Sequence, residues 1–370
     1  MDLVTIGLLI AGFVLLVVGG ELLVRGASAL AVVAGISPLV IGLTVVAFGT
    51  SAPELAVSIQ AGIAGASDIA IGNVVGSNIF NILFVLGTCA LVAPLVVSIQ
   101  LIRREVPILI AISFLMALLA LDGTVGLFDG IMLTAGIILY VSWSVISSRR
   151  ETAAAQAEFA QEFGAPEQQS KPTLRMLVTN LTLLVGGLGL LVLGAHWLVD
   201  GAVSLAQALG VSDVIIGLTI VAIGTSLPEV VTSVVATMRN ERDIAIGNAI
   251  GSSIFNILCI VGIASMVTPG GLNVAQSVIN FDLPVMLATT VACLPIFFSG
   301  MTIARWEGAL FFGYYIAYTT YLILSATEHA ALPAYSSVMA LFVIPLTVIT
   351  LVVTGVHAFM RHRRGENVAM

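Results

Sequence analysis

Charge is what this sequence has least of. Of its 370 residues only 9% are Asp, Glu, Lys or Arg, whereas 59% are hydrophobic, and the mean hydropathy is +1.14. No soluble core absorbs that much apolar surface, so a water-soluble globular class is excluded and an integral membrane protein is expected. Cysteine is nearly as scarce. Cys89, Cys259 and Cys293 stand alone in apolar segments, without metal-binding or redox spacing, and read as small buried hydrophobes. Neither a His-Glu-x-x-His nor a Ser/His/Asp arrangement occurs, which argues against an enzyme. The first apolar run follows Met1-Asp2 without the basic start of a secretory signal and is read as structure. The net charge of −7 says little about partners, because beside a bilayer the position of each charge matters more than the sum; the bilayer itself is the expected surrounding, and nucleic acid is not an expected partner.

About 20 apolar residues are needed to cross the hydrocarbon. Eleven such stretches are expected, near 3–24, 38–63, 69–93, 105–121, 126–147, 177–199, 213–237, 244–267, 281–300, 306–325 and 336–359. Between the fifth and sixth lies the one clearly polar stretch, Ser147 to Thr173, with Arg149, Arg150, Glu151, Glu158, Glu162, Glu167 and Lys171. Its Ala/Gln/Glu-rich middle reads as a short surface helix and Gly164-Ala165-Pro166 as flexible linker. With the N-terminus outside, all 13 basic residues fall on the cytoplasmic side, from Arg25, Arg103 and Arg104 to the tail Arg361, Arg363 and Arg364. The opposite turns carry Asp68, Asp122, Asp129, Asp200, Asp213 and Glu328 and no Lys or Arg. A multi-pass membrane protein with its N-terminus outside and its C-terminus in the cytoplasm is therefore expected.

Against this apolar background one motif occurs twice. Ala47-Phe48-Gly49-Thr50-Ser51-Ala52-Pro53-Glu54 returns as Ala222-Ile223-Gly224-Thr225-Ser226-Leu227-Pro228-Glu229, at an offset of 175 positions. The offset holds without a gap from Ile36–Gly87 to Val211–Gly262, where 28 of 52 positions are identical. Five spans separate the copies, so they run in opposite directions through the membrane, and inverted repeats of this kind bring equivalent segments together at the midplane. The expected fold class is an all-α polytopic membrane protein of two inverted five-helix repeats, ten transmembrane helices, plus an extra C-terminal transmembrane helix. Its expected units are a first repeat over 1–147, a cytoplasmic linker over 148–173, a second repeat over 174–326, and the extra helix with its basic tail over 327–370.

An ionisable residue at membrane depth marks an ion or substrate pathway by default. On a helix Thr50, Ser51 and Glu54 share a face, as do Ser77 and Asn81 on the next. Pro53 removes a backbone donor and Gly49 loosens the turn before it, which frees carbonyls such as those of Ala47 and Thr50. Ala222, Thr225, Ser226, Glu229, Ser252 and Asn256 repeat the arrangement. Every donor here is oxygen, which suits the hard cations calcium and sodium. Two ionised glutamates are neutralised by one calcium or by two sodium ions, so ions that compete for shared ligands, or protons, must replace one another. A kinked helix with a satisfied glutamate is the plain alternative for one copy; two copies with matching Ser/Asn partners tell against it. Other polar residues read more simply. Glu21 and Arg25 are expected to pair, His196 lies near Asp200, Asp68 and Asp243 look like helix N-caps, and Asn73 and Asn248 hold nearby carbonyls or ligate.

At these residues the chain resembles the calcium/cation antiporter superfamily, and within it the prokaryotic sodium/calcium exchanger branch. The resemblance rests on Gly49 to Glu54 with Gly76-Ser77-Asn78-Ile79-Phe80-Asn81, and on Gly224 to Glu229 with Gly251 to Asn256. The proton/calcium branch carries Gly-Asn-x-x-Glu instead, which is lacking here. The resemblance implies a central calcium site made by Glu54 and Glu229 with backbone oxygens of Thr50 and Thr225. It implies sodium sites on either flank, one from Ala47, Thr50, Ser51, Glu54 and Ser77, the other from Ala222, Thr225, Ser226, Glu229 and Ser252, with Asn81 and Asn256 in support. Two features depart from the pattern. Asn256 stands where archaeal-type and potassium-dependent exchangers often carry Asp, which lowers the site's charge and makes potassium dependence less expected. The eleventh span exceeds the ten-helix pattern and has no assigned role. The expected activity is exchange of sodium for calcium by alternating access, without a cofactor and with calcium and sodium as the partners. A proton/calcium antiporter, or a cation channel built on the same oxygens, is the alternative, and the oligomeric state is left open, a monomer included.

Overall fold

Backbone amides in hydrocarbon find no water, so apolar runs of this length close their hydrogen bonds internally as helices. A computed structural model describes residues 3–163, 173–350 and 352. Among the described residues nine helices are long and apolar enough to span a bilayer: Val4–Ala34, Ser67–Val92, Leu101–Asp122, Leu127–Ala153, Leu174–Ala208, Arg242–Val267, Val278–Phe298, Arg305–Ala326 and Leu332–Thr350. Two further stretches are bent, Pro38–Thr50 with Ala52–Ile63 by 45° and Thr219–Thr225 with Leu227–Met238 by 60°. Each bent pair counted as one span gives eleven, in the expected places.

The ends differ from expectation where helix-forming residues continue past the hydrocarbon. The first and sixth helices run on to Ala34 and Ala208. They stop at Gly35 and Gly210, with φ of +64° and +79°, repeat-equivalent positions where a side chain would be strained. The fifth helix is continuous over Leu127–Phe163, so the expected unit boundary at 147 cuts a single helix and no separate surface helix forms. Its Ala, Gln and Glu are strong helix formers, and no Gly or Pro interrupts them before Gly164. Gly164-Ala165-Pro166, Glu167 and Lys171, and the tail arginines Arg361, Arg363 and Arg364, lie outside the described residues. Asp68 and Asp243 are not N-caps. Ala66 and Glu241 hold that position, and the two aspartates are the second residues of their helices, in the first turn at the positive helix end.

The third and eighth spans form the centre, 78% and 83% buried, while none of the other seven unbent spans exceeds 33%. Around them the halves interlock. The first and sixth helices lie antiparallel at backbone contact, since a Cβ on Gly12 would stand 2.8 Å from the Gly194 carbonyl and one on Gly19 2.8 Å from that of Gly187. Such glycine-lined contacts substitute packing for the hydrophobic drive that lipid removes. Two-residue antiparallel bridges tie the halves at Leu95↔Ile303 and at Val125↔Leu272, all four side chains being buried. Glu21 holds Arg25 at 2.7 Å as expected, and also Arg239 at the end of the second bent pair. His196 stands 3.4 Å from Asp200.

Candidate functional site

Both bends fall on the repeated motif. Pro53 and Pro228 lack the N–H that would continue the helix, so each segment breaks at the preceding serine, Ser51 and Ser226. The glutamate follows in the first turn of the new helix, where the positive end of the dipole favours a carboxylate. Asparagines on the neighbouring spans fix that turn. Asn73 Nδ2 donates to the Glu54 carbonyl (3.2 Å) and to Ser58 (3.0 Å), and Asn248 Nδ2 to the Glu229 carbonyl (3.3 Å) and to Ser233 (3.0 Å). These asparagines therefore position the acids' backbone, a role their place in the repeat left open.

The side chains then cross between the halves. The Ser226 hydroxyl donates to Glu54 Oε1 at 2.9 Å and lies 3.3 Å from the Ser77 hydroxyl; Ser51 donates to Glu229 Oε1 at 3.3 Å. Thr50 Oγ1 lies 3.0 Å from Asn248 Oδ1 and 3.3 Å from Ser252 Oγ. Glu54 and Glu229 are each 1% exposed. Their second oxygens, Glu54 Oε2 and Glu229 Oε2, are buried without a hydrogen-bond partner, as are Asn81 Oδ1 and Asn256 Oδ1 at the starts of the π-helical turns Asn81–Leu86 and Asn256–Val261. Four buried acceptor oxygens thus stand unpartnered in repeat-related pairs, and such atoms are costly to bury with nothing bound. No cluster of three or more His, Cys, Asp or Glu occurs among the described residues. Asn78 accepts from Asn256 Nδ2 (3.1 Å), and no repeated motif singled it out, since its counterpart is Ser253.

The two halves of the site are not in the same state. Ala47 and Thr50 are fully buried, whereas Ala222 is exposed and Thr225 half-buried. Val46 is 0% exposed and its counterpart Val221 46%. The Ala47 carbonyl keeps a helical partner, the Ser51 N–H at 3.0 Å, so it is not freed by the bend. In the second copy the Ser226 N–H turns to the Ile223 carbonyl at 3.1 Å, and the Ala222 carbonyl accepts the Thr225 hydroxyl at 3.5 Å.

A bilayer-spanning helical bundle with paired acids at its buried centre is the architecture of a membrane transporter. The family model described as sodium/calcium exchanger protein matches residues 4–146 and 179–324, and the chain belongs to that family. It is 39% identical over 285 residues to the putative antiporter CaxA of Alkalimonas amylolytica, covering 77% of this chain and 87% of that one. It is 33% identical over 342 residues to the sodium/calcium exchanger MaX1 of Methanosarcina acetivorans, covering 85% and 97%. A solved structure of the sodium-calcium exchanger NCX_Mj, soaked with 10 mM Na+ and zero Ca2+, superposes with a TM-score of 0.73 at 32% identity, covering 85% of this chain and 98% of that one. The helix Leu332–Thr350 lies beyond the family match.

Proposed function

We propose that the protein is an antiporter that exchanges sodium for calcium by alternating access, with calcium held between Glu54 and Glu229 and sodium on either flank. The observation that carries the reading is the crossed pair of hydrogen bonds, Ser226 to Glu54 and Ser51 to Glu229. Each leaves the second carboxylate oxygen of its acid unpartnered, and one amide oxygen per half, Asn81 Oδ1 and Asn256 Oδ1, is unpartnered beside them in the sequence repeat. Following the hydrogen bonds that cross between the halves, Ser77 and Ser226, with Thr225 and the Ala222 carbonyl, flank Glu54, and Ser51, Thr50 and Ser252 flank Glu229. When a cation leaves, two carboxylates face one another in a medium that solvates charge poorly, so only a loaded site changes sides freely. Names of the relatives agree with exchange: one is a putative antiporter, and two are sodium/calcium exchangers.

The asymmetry of the halves supports alternating access. Gly247 and Gly251 are in backbone contact with Leu39 and Leu43, a Cβ on them standing 2.7 and 2.6 Å from those carbonyls, while the equivalent Gly72 and Gly76 meet nothing within 4 Å. With the N-terminus outside, the packed side is cytoplasmic and the open side external. In the opposite state the segment around Gly217–Ala222 would pack onto Gly72 and Gly76 as Gly42–Ala47 now packs onto Gly247 and Gly251. The closely packed first and sixth helices would move as one body.

The test is calcium uptake by inside-out vesicles under an outward sodium gradient. Uptake that scales with that gradient supports the proposal. Uptake that ignores sodium and follows a pH step transfers the reading to proton/calcium exchange, and single-channel currents would transfer it to a channel.

A further inference from the structure

We infer that the eleventh helix encloses a binding site for one phospholipid with an amine-bearing headgroup, its acyl chain lying between this helix and the ninth and tenth spans. A cavity of about 430 Å³ separates Leu332–Thr350 from Val278–Phe298 and Arg305–Ala326. Its wall runs from Phe281 to Ile296 along the ninth span, about 22 Å at 1.5 Å per residue. It is therefore long and narrow, the shape of a hydrocarbon tail and not of a compact solute.

Small side chains open this space and hydrogen bonds keep it open. Ala288, Ala292 and Ala340 line it where larger residues would fill it. The helix is pinned at both ends, by Tyr335 Oη to the Ala317 carbonyl (2.8 Å) and by Tyr314 Oη with Thr347 Oγ1 (2.5 Å). Both bonds run to the tenth span, so the helix cannot swing across to close the space against the ninth without breaking them. An apolar cavity of about 150 Å³ already stays dry and takes up benzene, so water is not the occupant. At this depth of a bilayer the abundant apolar solute is a lipid tail.

Charge selects the headgroup. At one end of the cavity Phe281, Tyr321 and Tyr335 lie within five residues of three span ends, the level of the aromatic belt, with Tyr318 a turn deeper. There Tyr318 Oη donates to Asp282 Oδ1 at 2.7 Å, and the half-buried Asp282 carboxylate has no ion-pair partner among the described residues. The connecting turn adds Glu328 and His329 and no Lys or Arg. An acid beside aromatic rings attracts an ammonium group and repels a purely anionic headgroup. Under the orientation proposed above, the lipid comes from the outer leaflet; the site itself does not depend on the exchange reading.

Native mass spectrometry of the full-length protein, titrated with phosphatidylethanolamine or phosphatidylglycerol in mild detergent, tests this. One phosphatidylethanolamine per chain is expected to stay bound in preference to phosphatidylglycerol. Ala292→Phe, from the ninth span, and Met339→Trp, from the eleventh, should each abolish retention at unchanged thermal stability, and Asp282→Asn should reduce the preference between the two lipids to parity. The inference is overturned if the unmodified protein retains no lipid, if it holds phosphatidylglycerol equally well, if a second copy of the chain is retained instead, or if a folded cavity-filling variant keeps its lipid. The comparison of the two lipids on the unmodified protein decides the matter even where a variant does not fold.

Discussion

At the scale of single residues, the site is a set of oxygens committed on one side and open on the other. Glu54 spends one carboxylate oxygen on Ser226 of the opposite half and keeps the other free of hydrogen bonds, and Glu229 does the same with Ser51. Removing either charge leaves one acid for a divalent ion. Glu54→Gln and Glu229→Gln are therefore each expected to abolish sodium-driven calcium uptake in vesicles. A hydrogen bond to a charged group contributes roughly 1.5–3 kcal/mol, so Ser226→Ala should weaken apparent calcium affinity roughly ten- to hundredfold. Ser51→Ala, whose bond is longer, should cost less, and the ratio of the two calcium KM values checks the order. Asn256→Asp would add a third acid to the site; more sodium ions per calcium, read from the reversal potential of exchange, is the expected result.

Among the elements, the same glycine in the two halves has two environments, and this separates stability from turnover. Gly247→Ala forces a Cβ to within 2.7 Å of the Leu39 carbonyl and is expected to lower stability by about 1–3 kcal/mol, seen as a lower unfolding temperature in detergent. Gly72→Ala meets nothing in this state and should leave the unfolding temperature unchanged while slowing exchange, because it obstructs the state in which Gly72 becomes the packed partner. Equal effects of the two substitutions would remove the asymmetry from the mechanism. A cysteine placed at exposed Ala222 should react with an impermeant maleimide from outside, and one at buried Ala47 should not react from inside; the native Cys89, Cys259 and Cys293 are buried and contribute little background.

For the molecule as a whole, a bound cation stabilises the state that binds it. Calcium at 100 times its Kd should raise folding stability by about 2.7 kcal/mol, a gain that thermal unfolding detects and that Glu54→Gln should erase. Much of this was legible beforehand because membrane burial is a severe constraint. Eleven apolar runs, the 175-residue offset and the two acids follow from hydropathy and spacing, since runs of this length satisfy their backbone amides in lipid as helices and an acid within such a run marks a pathway by default. What escaped such reading had no periodic signal. The fifth helix runs on to Phe163 through residues whose helix propensity outlasts the membrane, Asn78 reaches Asn256 without a counterpart in the repeat, and the stripe of Gly12, Gly19, Gly187 and Gly194 becomes meaningful only when two helices 175 residues apart are laid together.

The sequence by itself determined that this chain spans a membrane as two related halves, each bringing one carboxylate and its hydroxyls into the lipid; composition and internal repetition suffice for that. It did not determine which serine meets which acid, which half is packed and which is open, or that a cavity lies behind the eleventh helix. Those were decided in the tertiary structure, because both halves carry the same motif, and identical local chemistry takes different environments only through the long-range packing of helices against one another.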